Sequence, residues 1–279
     1  NLAYGVQLDG SSFNTVNENV IEHNDYGIYL DDYSSNNIIS GNNVNNNYGG
    51  ILLAFSSNNI LRNNNMVGNS YNFYIFGESL LDYSQNIDVS NTVDGKPVYY
   101  LINQNNLTVN PSSHPSIGYL ALVNSTKITV EDLTLTNNGQ GVLLANTTDS
   151  IIENMTVSNN AFGIMLMYSS NCFLSGNDAD NNHDGIVLLY SSNCSVSDNN
   201  VNNSGHNGII LSYSSNSSVS NNNVTYNDED GIWLGYSSNC SVSGNNVNNN
   251  WFGIDLWDSS SNKIYHNNFI NNTYQVSIY

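Results

Sequence analysis

The 279-residue sequence contains few basic residues: four Lys and Arg stand against 23 Asp and Glu, giving a formal net charge of −19. Phosphate binding needs a basic surface, so we exclude nucleic acid as a partner. Cysteine is also scarce, and an odd total of three does not build a disulfide framework. No run of 18 apolar residues occurs, and the sequence therefore predicts no membrane span.

Small polar residues take the place of the missing charge. The chain has 58 Asn, 39 Ser and 21 Gly, all poor helix formers, which excludes an all-α fold. Hydrophobic residues still make up 39% of the chain and aromatics 11%, too many for a disordered protein. The composition therefore predicts an ordered chain with a real core and almost no helix.

A tetrapeptide of the form Gly-Ile-x-Leu recurs along the chain at steps of 22 or 23 residues. Its copies begin at Gly27, Gly50, Gly141, Gly163, Gly185, Gly208, Gly231 and Gly253. Each period also holds two shorter apolar patches bounded by Ser, Asn and Gly, which predicts three short strands per repeat. Because such strands need the equivalent strands of the next repeat to form a sheet, the sequence predicts an all-β, single-stranded right-handed parallel β-helix of about twelve coils.

Within each coil, the Ile and Leu of the tetrapeptide are expected to point inward and form aliphatic columns. Paired Asn residues before the third strand are expected to stack as amide ladders, because Asn tolerates a left-handed corner and its amide bonds to the coils on either side. The best pairs are Asn42-Asn43, Asn199-Asn200, Asn222-Asn223, Asn245-Asn246 and Asn267-Asn268. Cys172, Cys194 and Cys240 share one position in the coil, and we expect them to be buried, reduced thiols.

One stretch departs from the period. All three prolines fall at 97–115, and we interpret about 76–118 as one irregular coil with an excursion inside a single domain, 1–279. The segment Val93-Asp94-Gly95-Lys96-Pro97-Val98-Tyr99-Tyr100, together with the Ser-Ser-Asn turns, Asn-Asn corners and Gly-Ile-x-Leu strands, resembles the NosD-like β-helix proteins. These belong to a wider group of carbohydrate-binding and sugar-hydrolase β-helix domains, many in archaeal surface proteins. The resemblance implies the fold over the whole chain, and it implies no single function.

Positions that face outward from the tetrapeptide strand are unusually apolar. A continuous apolar stripe indicates something that covers it, such as a neighbouring molecule or a sugar chain stacked on aromatic rings. We therefore predict a carbohydrate or partner surface at Tyr29, Leu52, Tyr74, Met165, Ile210, Trp233 and Trp257.

Carboxylates are the only plausible catalytic residues, and for the acidic cluster catalysis, calcium binding and solvated turns stay open. A glycosidase needs two or three carboxylates that converge on one groove. A lyase also needs cations, and the four basic residues are far apart. We assign no catalytic residue and name Asp184, Asp228, Glu229 and Asp230 as a calcium set, because oxygen-rich turns suit a hard cation.

Two further groups of residues bear on ligands and modification. The five histidines are scattered, so we expect no copper ligand set, although His183 and His206 are 23 residues apart and fit adjacent coils. Solvent-exposed turns are the default interpretation of that pair. Three Asn-x-Ser sequons in predicted exposed turns, Asn193, Asn216 and Asn239, are candidate glycosylation sites.

Our functional expectation is a non-enzymatic structural protein, secreted or at the cell surface, in a layer, sheath or filament. Both ends of the sequence lie in the phase of the tetrapeptide strand, which favours head-to-tail assembly of copies. Its partners would be copies of itself, other surface proteins or polysaccharide, with no cofactor unless calcium binds. The alternative is a carbohydrate-binding or carbohydrate-processing module.

Overall fold

Thirty-six short strands and one 3₁₀ helix make up the computed structural model, which describes residues 3–279. The helix is Leu80–Tyr83. In chain order the strands are β1 Tyr4–Asp9, β2 Thr15–Asn17, β3 Val20–Glu22, β4 Tyr26–Asp31, β5 Ile38–Ser40, β6 Asn43–Asn45, β7 Gly49–Ala54, β8 Ile60–Arg62, β9 Asn65–Val67, β10 Tyr71–Phe76, β11 Asn86–Ile87, β12 Thr92–Val93, β13 Lys96–Ile102, β14 Asn105–Val109, β15 Tyr119–Val123, β16 Thr126–Glu131, β17 Thr134–Thr136, β18 Gln140–Ala145, β19 Ile151–Glu153, β20 Thr156–Ser158, β21 Phe162–Met167, β22 Phe173–Ser175, β23 Asp178–Asp180, β24 Asp184–Leu189, β25 Ser195–Ser197, β26 Asn200–Asn202, β27 Ile209–Ser212, β28 Ser218–Ser220, β29 Asn223–Thr225, β30 Asp230–Gly235, β31 Ser241–Ser243, β32 Asn246–Asn248, β33 Phe252–Trp257, β34 Lys263–Tyr265, β35 Asn268–Ile270 and β36 Tyr274–Ile278.

The strands pair in parallel, coil on coil, in two compact units. The first unit comprises the chain up to Ile102 together with Ser116–Val123 and Asn137–Gln140. Its strand orders are β1-β4-β7-β10, β2-β5-β8-β11 and β3-β6-β9-β12-β13-β15. In the second, they are β14-β16-β19-β22-β25-β28-β31-β34, β17-β20-β23-β26-β29-β32-β35 and β18-β21-β24-β27-β30-β33-β36. The predicted right-handed parallel β-helix of about twelve coils is confirmed. Among residues 3–279, no helix is long and apolar enough to span a bilayer.

Aliphatic columns fill the interior. Ile186 pairs with Ile209 and Leu188 with Leu211 in parallel register, and all four side chains are completely buried. The same position in the first unit holds Ile51, which is buried as well. The prediction that the Ile and Leu of each tetrapeptide point inward is therefore confirmed.

Amide ladders run beside the aliphatic columns. In the second unit, Asn199 Nδ2 donates to Asn222 Oδ1 at 3.0 Å, Asn222 Nδ2 to Asn245 Oδ1 at 2.9 Å and Asn245 Nδ2 to Asn267 Oδ1 at 2.9 Å. Asn177 precedes them in the same ladder. The backbone N–H groups of the ladder residues donate to the same oxygens, so every corner is satisfied from the next coil. The predicted stacking of these Asn residues is confirmed.

The segment after β10 leaves the regular pattern. The 3₁₀ helix follows β10, and β12 pairs antiparallel with β13 through a hairpin turn at Asp94-Gly95, where both φ angles are positive, 48° and 76°. Tyr100 of β13 donates its hydroxyl proton to the carbonyl of the buried Tyr83 at 2.6 Å. By contrast, β14 pairs in parallel register with β16. Our interpretation of the whole chain as one domain stays a prediction.

The cysteine column lies inside the second unit. Cys172, Cys194 and Cys240 are free thiols, at most 2% exposed, and burial raises the pKa of the Cys240 thiol. Because all three thiols are shielded from solvent, we expect a thiol reagent to label none of them in the native protein and all three after denaturation. Mass spectrometry of the labelled protein measures this, and rapid labelling of the native chain would contradict the inward placement.

Candidate functional site

The corner before the long strand changes length in two consecutive coils of the second unit. In a regular corner, the buried Asn lies three residues before the Gly of the following tetrapeptide strand, as at 182–185 and 250–253. In the two longer corners, 204–208 and 227–231, the buried Ser or Asn lies four residues before that Gly. The pairing of Ile186 with Ile209 and of Ile209 with Ile232 is unaffected by this insertion. Each longer corner therefore extends away from the core, and it places His206 in one coil and Glu229 in the next where solvent reaches them.

An acidic cleft of about 450 Å³ opens beside these corners. Its lining is entirely acidic and aromatic: Asp228, Glu229, Asp230, Trp251, Phe252 and Asp255. Asp230 begins β30 and Asp255 lies in β33 of the next coil, and the two residues are only 9% and 7% exposed. Asp255 Oδ1 is buried and has no hydrogen-bond partner, which is unusual for a carboxylate in a folded protein.

The surroundings of the two buried aspartates favour their protonated forms. Burial, with the neighbouring Asp255 and Glu229 carboxylates, raises the pKa of Asp230 to about 7. Burial also raises the pKa of Asp255, although a hydrogen bond from Ser277 acts in the opposite direction. A carboxyl group with a pKa near neutrality both donates and accepts a proton at pH 7, which is the property of a general acid or base.

Aromatic rings stand at the edge of the cleft and on the strand behind it. The indole of Trp233 packs against the backbone of Gly235, where a Cβ atom would clash with the ring. Trp251 is 53% exposed at the rim, and Phe252 stacks on Tyr274 with ring centroids 4.9 Å apart. Flat, partly exposed rings of this kind form platforms for apolar faces of a ligand.

A histidine cluster lies one to two coils earlier on the same edge. The rings of His183 and His206 stack with centroids 5.1 Å apart, so the two histidines lie in adjacent coils as their spacing indicated. Asp184 lies between them: His183 Nδ1 is 2.9 Å from its Oδ2 and His206 Nδ1 is 3.4 Å from its Oδ1. The Asp184 side chain is 7% exposed and the histidines are 54% and 41% exposed.

Neighbouring groups fix the orientation of the His206 ring. The side-chain amide of Asn207 lies 2.8 Å from His206 Nδ1, and Glu229 Oε2 lies 2.8 Å from His206 Nε2. The Asn207 amide nitrogen can only donate, so His206 Nδ1 accepts this hydrogen bond and carries no proton. The ring proton is therefore on Nε2, which donates it to Glu229. The Nδ1 lone pair of His206 therefore points toward Asn207 and Asp184.

The structure separates the residues that the sequence assigned to a ligand surface. Leu52, Met165 and Ile210 are buried, because side chains of adjacent coils in the same column pack against one another. Tyr29, Tyr74 and Trp233 are half-buried and Trp257 is 46% exposed. The stripe as a binding surface stays a prediction, and its half-buried and exposed members are those that a ligand reaches.

The calcium set lies in two coils, those of β24 and β30, with the coil of β27 between them. Asp184 belongs to the histidine cluster, whereas Asp228 and Glu229 are exposed and Asp230 is buried beside Asp255. Calcium binding by this set stays a prediction. Asn193, Asn216 and Asn239 are exposed in equivalent turns with φ between 56° and 57°, and their glycosylation also stays a prediction.

Two parts of the site were missed by sequence reasoning. Asp255 occupies the x position of the last complete tetrapeptide, where the sequence predicts an apolar residue, and this exception was a usable signal. Gly235 was the second signal, since the equivalent positions hold Met167, Leu189 and Ser212. Glycine there provides the space for the Trp233 ring.

Comparison with known proteins identifies the family. A family model described as periplasmic copper-binding protein (NosD) matches residues 1–110 and 89–279. No curated protein matches the chain.

Similar solved structures include three β-helix proteins. The periplasmic alginate epimerase AlgG is 15% identical, with a TM-score of 0.48 over 91% of this chain and 59% of that one. The A-module of the mannuronan C-5 epimerase AlgE4 of Azotobacter vinelandii is 12% identical, with a TM-score of 0.46 over 98% of this chain and 88% of that one. PfbA, a surface adhesin of Streptococcus pneumoniae, is 13% identical, with a TM-score of 0.45 over 98% of this chain and 73% of that one. The chain thus spans 59% of the length of AlgG. Similarities at this level of sequence identity do not show the function.

Proposed function

The chain belongs to the family of the periplasmic copper-binding protein NosD, and from that premise we propose that it works outside the cytoplasm as a β-helix that binds a neutral glycan in the acidic cleft and hydrolyses it. The observation that carries the proposal is the unpartnered Oδ1 of Asp255, buried in the cleft close to Asp230. A buried carboxylate oxygen without a partner is costly, and functional sites are where such a cost is retained.

The two aspartates are suited to divide the work of glycoside hydrolysis. A glycosidase uses one carboxyl group to protonate the leaving oxygen and a second to activate water or attack the sugar. Asp230, with its pKa near 7, gives its proton to the glycosidic oxygen as the C–O bond breaks. The Asp255 carboxylate takes a proton from the water whose oxygen bonds to the anomeric carbon.

Charge and aromatic surface indicate the class of sugar. The lining of the cleft is acidic and aromatic, so a polyuronate would meet like charge there. A neutral sugar presents C–H faces to Trp251 and Phe252 and hydroxyl groups to the carboxylates. The expected substrate is therefore a neutral polysaccharide.

Incubation of the protein with neutral glycans and with polyuronates tests this function by release of reducing ends. We expect hydrolysis of a neutral glycan near pH 7, and a rate reduced by roughly 100-fold or more in Asp230→Asn and Asp255→Asn. Asp258→Asn, an exposed acid in the same coil as Asp255, is the matched control and should leave the rate unchanged.

Binding measurements separate recognition from catalysis. The Asp230→Asn variant should still bind the glycan, and Trp251→Ala should weaken that binding. Absence of both hydrolysis and binding across neutral glycans, or a preference for polyuronates, would show the proposal to be wrong.

A structural role at the cell surface remains the second candidate. In the coil of β36, Val276 and Ile278 continue the columns of Ile254 and Leu256 but are 41% and 67% exposed. Head-to-tail assembly stays a prediction, and light scattering over a wide concentration range tests it: growth of the scattering mass supports assembly and constant monomer mass contradicts it.

A further inference from the structure

The histidine cluster is separate from the acid–base pair of the cleft and is unexplained by glycan hydrolysis. Among the His, Cys, Asp and Glu side chains of residues 3–279, one group of three has donor atoms that all lie within 4.8 Å of one another. It consists of His183, Asp184 and His206. The group lies on two coils held in fixed register by the pairing of β24 with β27. Its donor atoms are therefore positioned by rigid elements.

Distances inside the cluster match those between two ligands of one metal ion. Nitrogen and oxygen ligands of zinc lie about 2.0–2.2 Å from the metal, which places adjacent ligands roughly 2.8–3.6 Å apart at square or tetrahedral angles. The two His Nδ1 to Asp184 oxygen distances are 2.9 and 3.4 Å. A metal ion here would replace the proton shared by His183 Nδ1 and Asp184 Oδ2 and would displace the Asn207 amide, which donates to His206 Nδ1 and to Asp184 Oδ1.

Glu229 supplies the outer partner that a ligating histidine requires. Ligating imidazoles almost always donate their other ring N–H to a carboxylate or carbonyl, which fixes the tautomer. His206 has this arrangement, with Nε2–H on Glu229 Oε2 and Nδ1 facing Asp184. Glu229 is thus a positioning residue for His206.

We propose that His183, Asp184 and His206 bind a divalent transition-metal ion of the Cu(II) and Zn(II) class, with Glu229 orienting His206. Two imidazoles and one carboxylate suit Cu(II) and Zn(II), whereas Cu(I) prefers thiolate or thioether sulfur and Ca²⁺ prefers six to eight oxygens. The donor set accordingly fits copper, the metal that the family description names, in its Cu(II) state. The proposal does not depend on the glycan function.

Titration of tag-free, full-length protein with glycine-buffered Cu(II) tests the site directly. We expect one tight site per chain by calorimetry and an electron paramagnetic resonance spectrum with coupling to two imidazole nitrogens. His183→Asn and His206→Asn should each remove one nitrogen coupling and weaken binding. Both residues are partly exposed, so these variants should fold, and His266→Asn, an exposed histidine outside the cluster, is the matched control.

Two further variants separate positioning from coordination and from the cleft. Glu229→Ala should weaken Cu(II) binding about 10- to 100-fold while both nitrogen couplings remain, and Glu229→Gln should restore part of the affinity. Asp255→Asn should bind Cu(II) as the wild type does, even if glycan hydrolysis is never observed. Equal Cu(II) affinity in His206→Asn and His266→Asn, absence of saturable binding, or a rise in melting temperature with Ca²⁺ but not with Cu(II) or Zn(II) would overturn the proposal.

Discussion

Replacement of Asn222 by Ala should lower the free energy of unfolding by about 3–5 kcal/mol, the largest effect expected of any single substitution considered for this chain. Asn222 is 1% exposed, and its amide donates to the carbonyl of Val196 and to Asn245 Oδ1, both at 2.9 Å. Its Oδ1 accepts from the backbone N–H and the side-chain amide of Asn199, both at 3.0 Å. Alanine would leave the buried Asn199 N–H without its partner, at a cost of about 1–3 kcal/mol before relaxation. It would also remove one of the two partners of the Asn199 amide and of Asn245 Oδ1.

Denaturant unfolding followed by circular dichroism measures this loss, and the next residue provides the control. Asn223 is half-buried and makes its own side-chain ladder with Asn200 and Asn246 outside the core. Because water replaces those partners, Asn223→Ala should cost less than about 1 kcal/mol. A similar loss in both variants would contradict the special role of the inner ladder.

Replacement of Asp230 by Asn should make the protein more stable at pH 8, by roughly 1–3 kcal/mol, and leave it nearly unchanged at pH 4. The pKa of Asp230 is raised to about 7 in the folded protein, against a usual value near 4, so the folded state binds the proton more tightly. This group therefore lowers the free energy of unfolding as the pH rises from about 4 to 7, and the penalty persists above 7. Asparagine removes that penalty. The estimate is below the full value of a three-unit shift because the cleft is open to water on one side.

Unfolding of wild type and variant at pH 4 and pH 8 gives the difference, in which the titration of groups that do not interact with Asp230 cancels. Asp228→Asn, an exposed acid of the same corner, should show little dependence on pH. A stabilisation that is the same at both pH values would contradict the raised pKa. Gain of stability together with loss of hydrolysis in Asp230→Asn would be the trade-off expected of a residue retained for function.

Periodicity was sufficient to predict the fold because each coil repeats the same physical solution. The inward Ile and Leu and the ladder Asn recur at fixed positions, and neighbouring coils impose one register on all of them. The hairpin of β12 and β13 was not predicted, although Asp94-Gly95 is the residue pair that a tight hairpin turn favours. The hairpin was missed because the sequence was interpreted by its period, and a two-residue turn signal does not repeat.

The candidate site was only partly predictable, because its members belong to different coils and different columns. Asp184 and Asp230 were recognised as acids on one edge, but Asp255 was not included since it stands in an apolar column. Histidine spacing indicated adjacent coils without showing that the Asp184 carboxylate contacts both rings. Burial, which raises the pKa of Asp230 and isolates Asp255 Oδ1, is a property of the folded chain.

The one-residue insertions at 204–208 and 227–231 suggest how such a scaffold acquires new activities. An added residue in the interior would displace every later side chain from its column, whereas these corners absorb it and the following strands keep their pairing. The length of this corner can therefore differ from coil to coil without a change in the packing of the core. Ligand sites on a solenoid of this kind can arise, move or disappear along the stack by changes that cost little stability, and corner length is the place to look for them in related sequences.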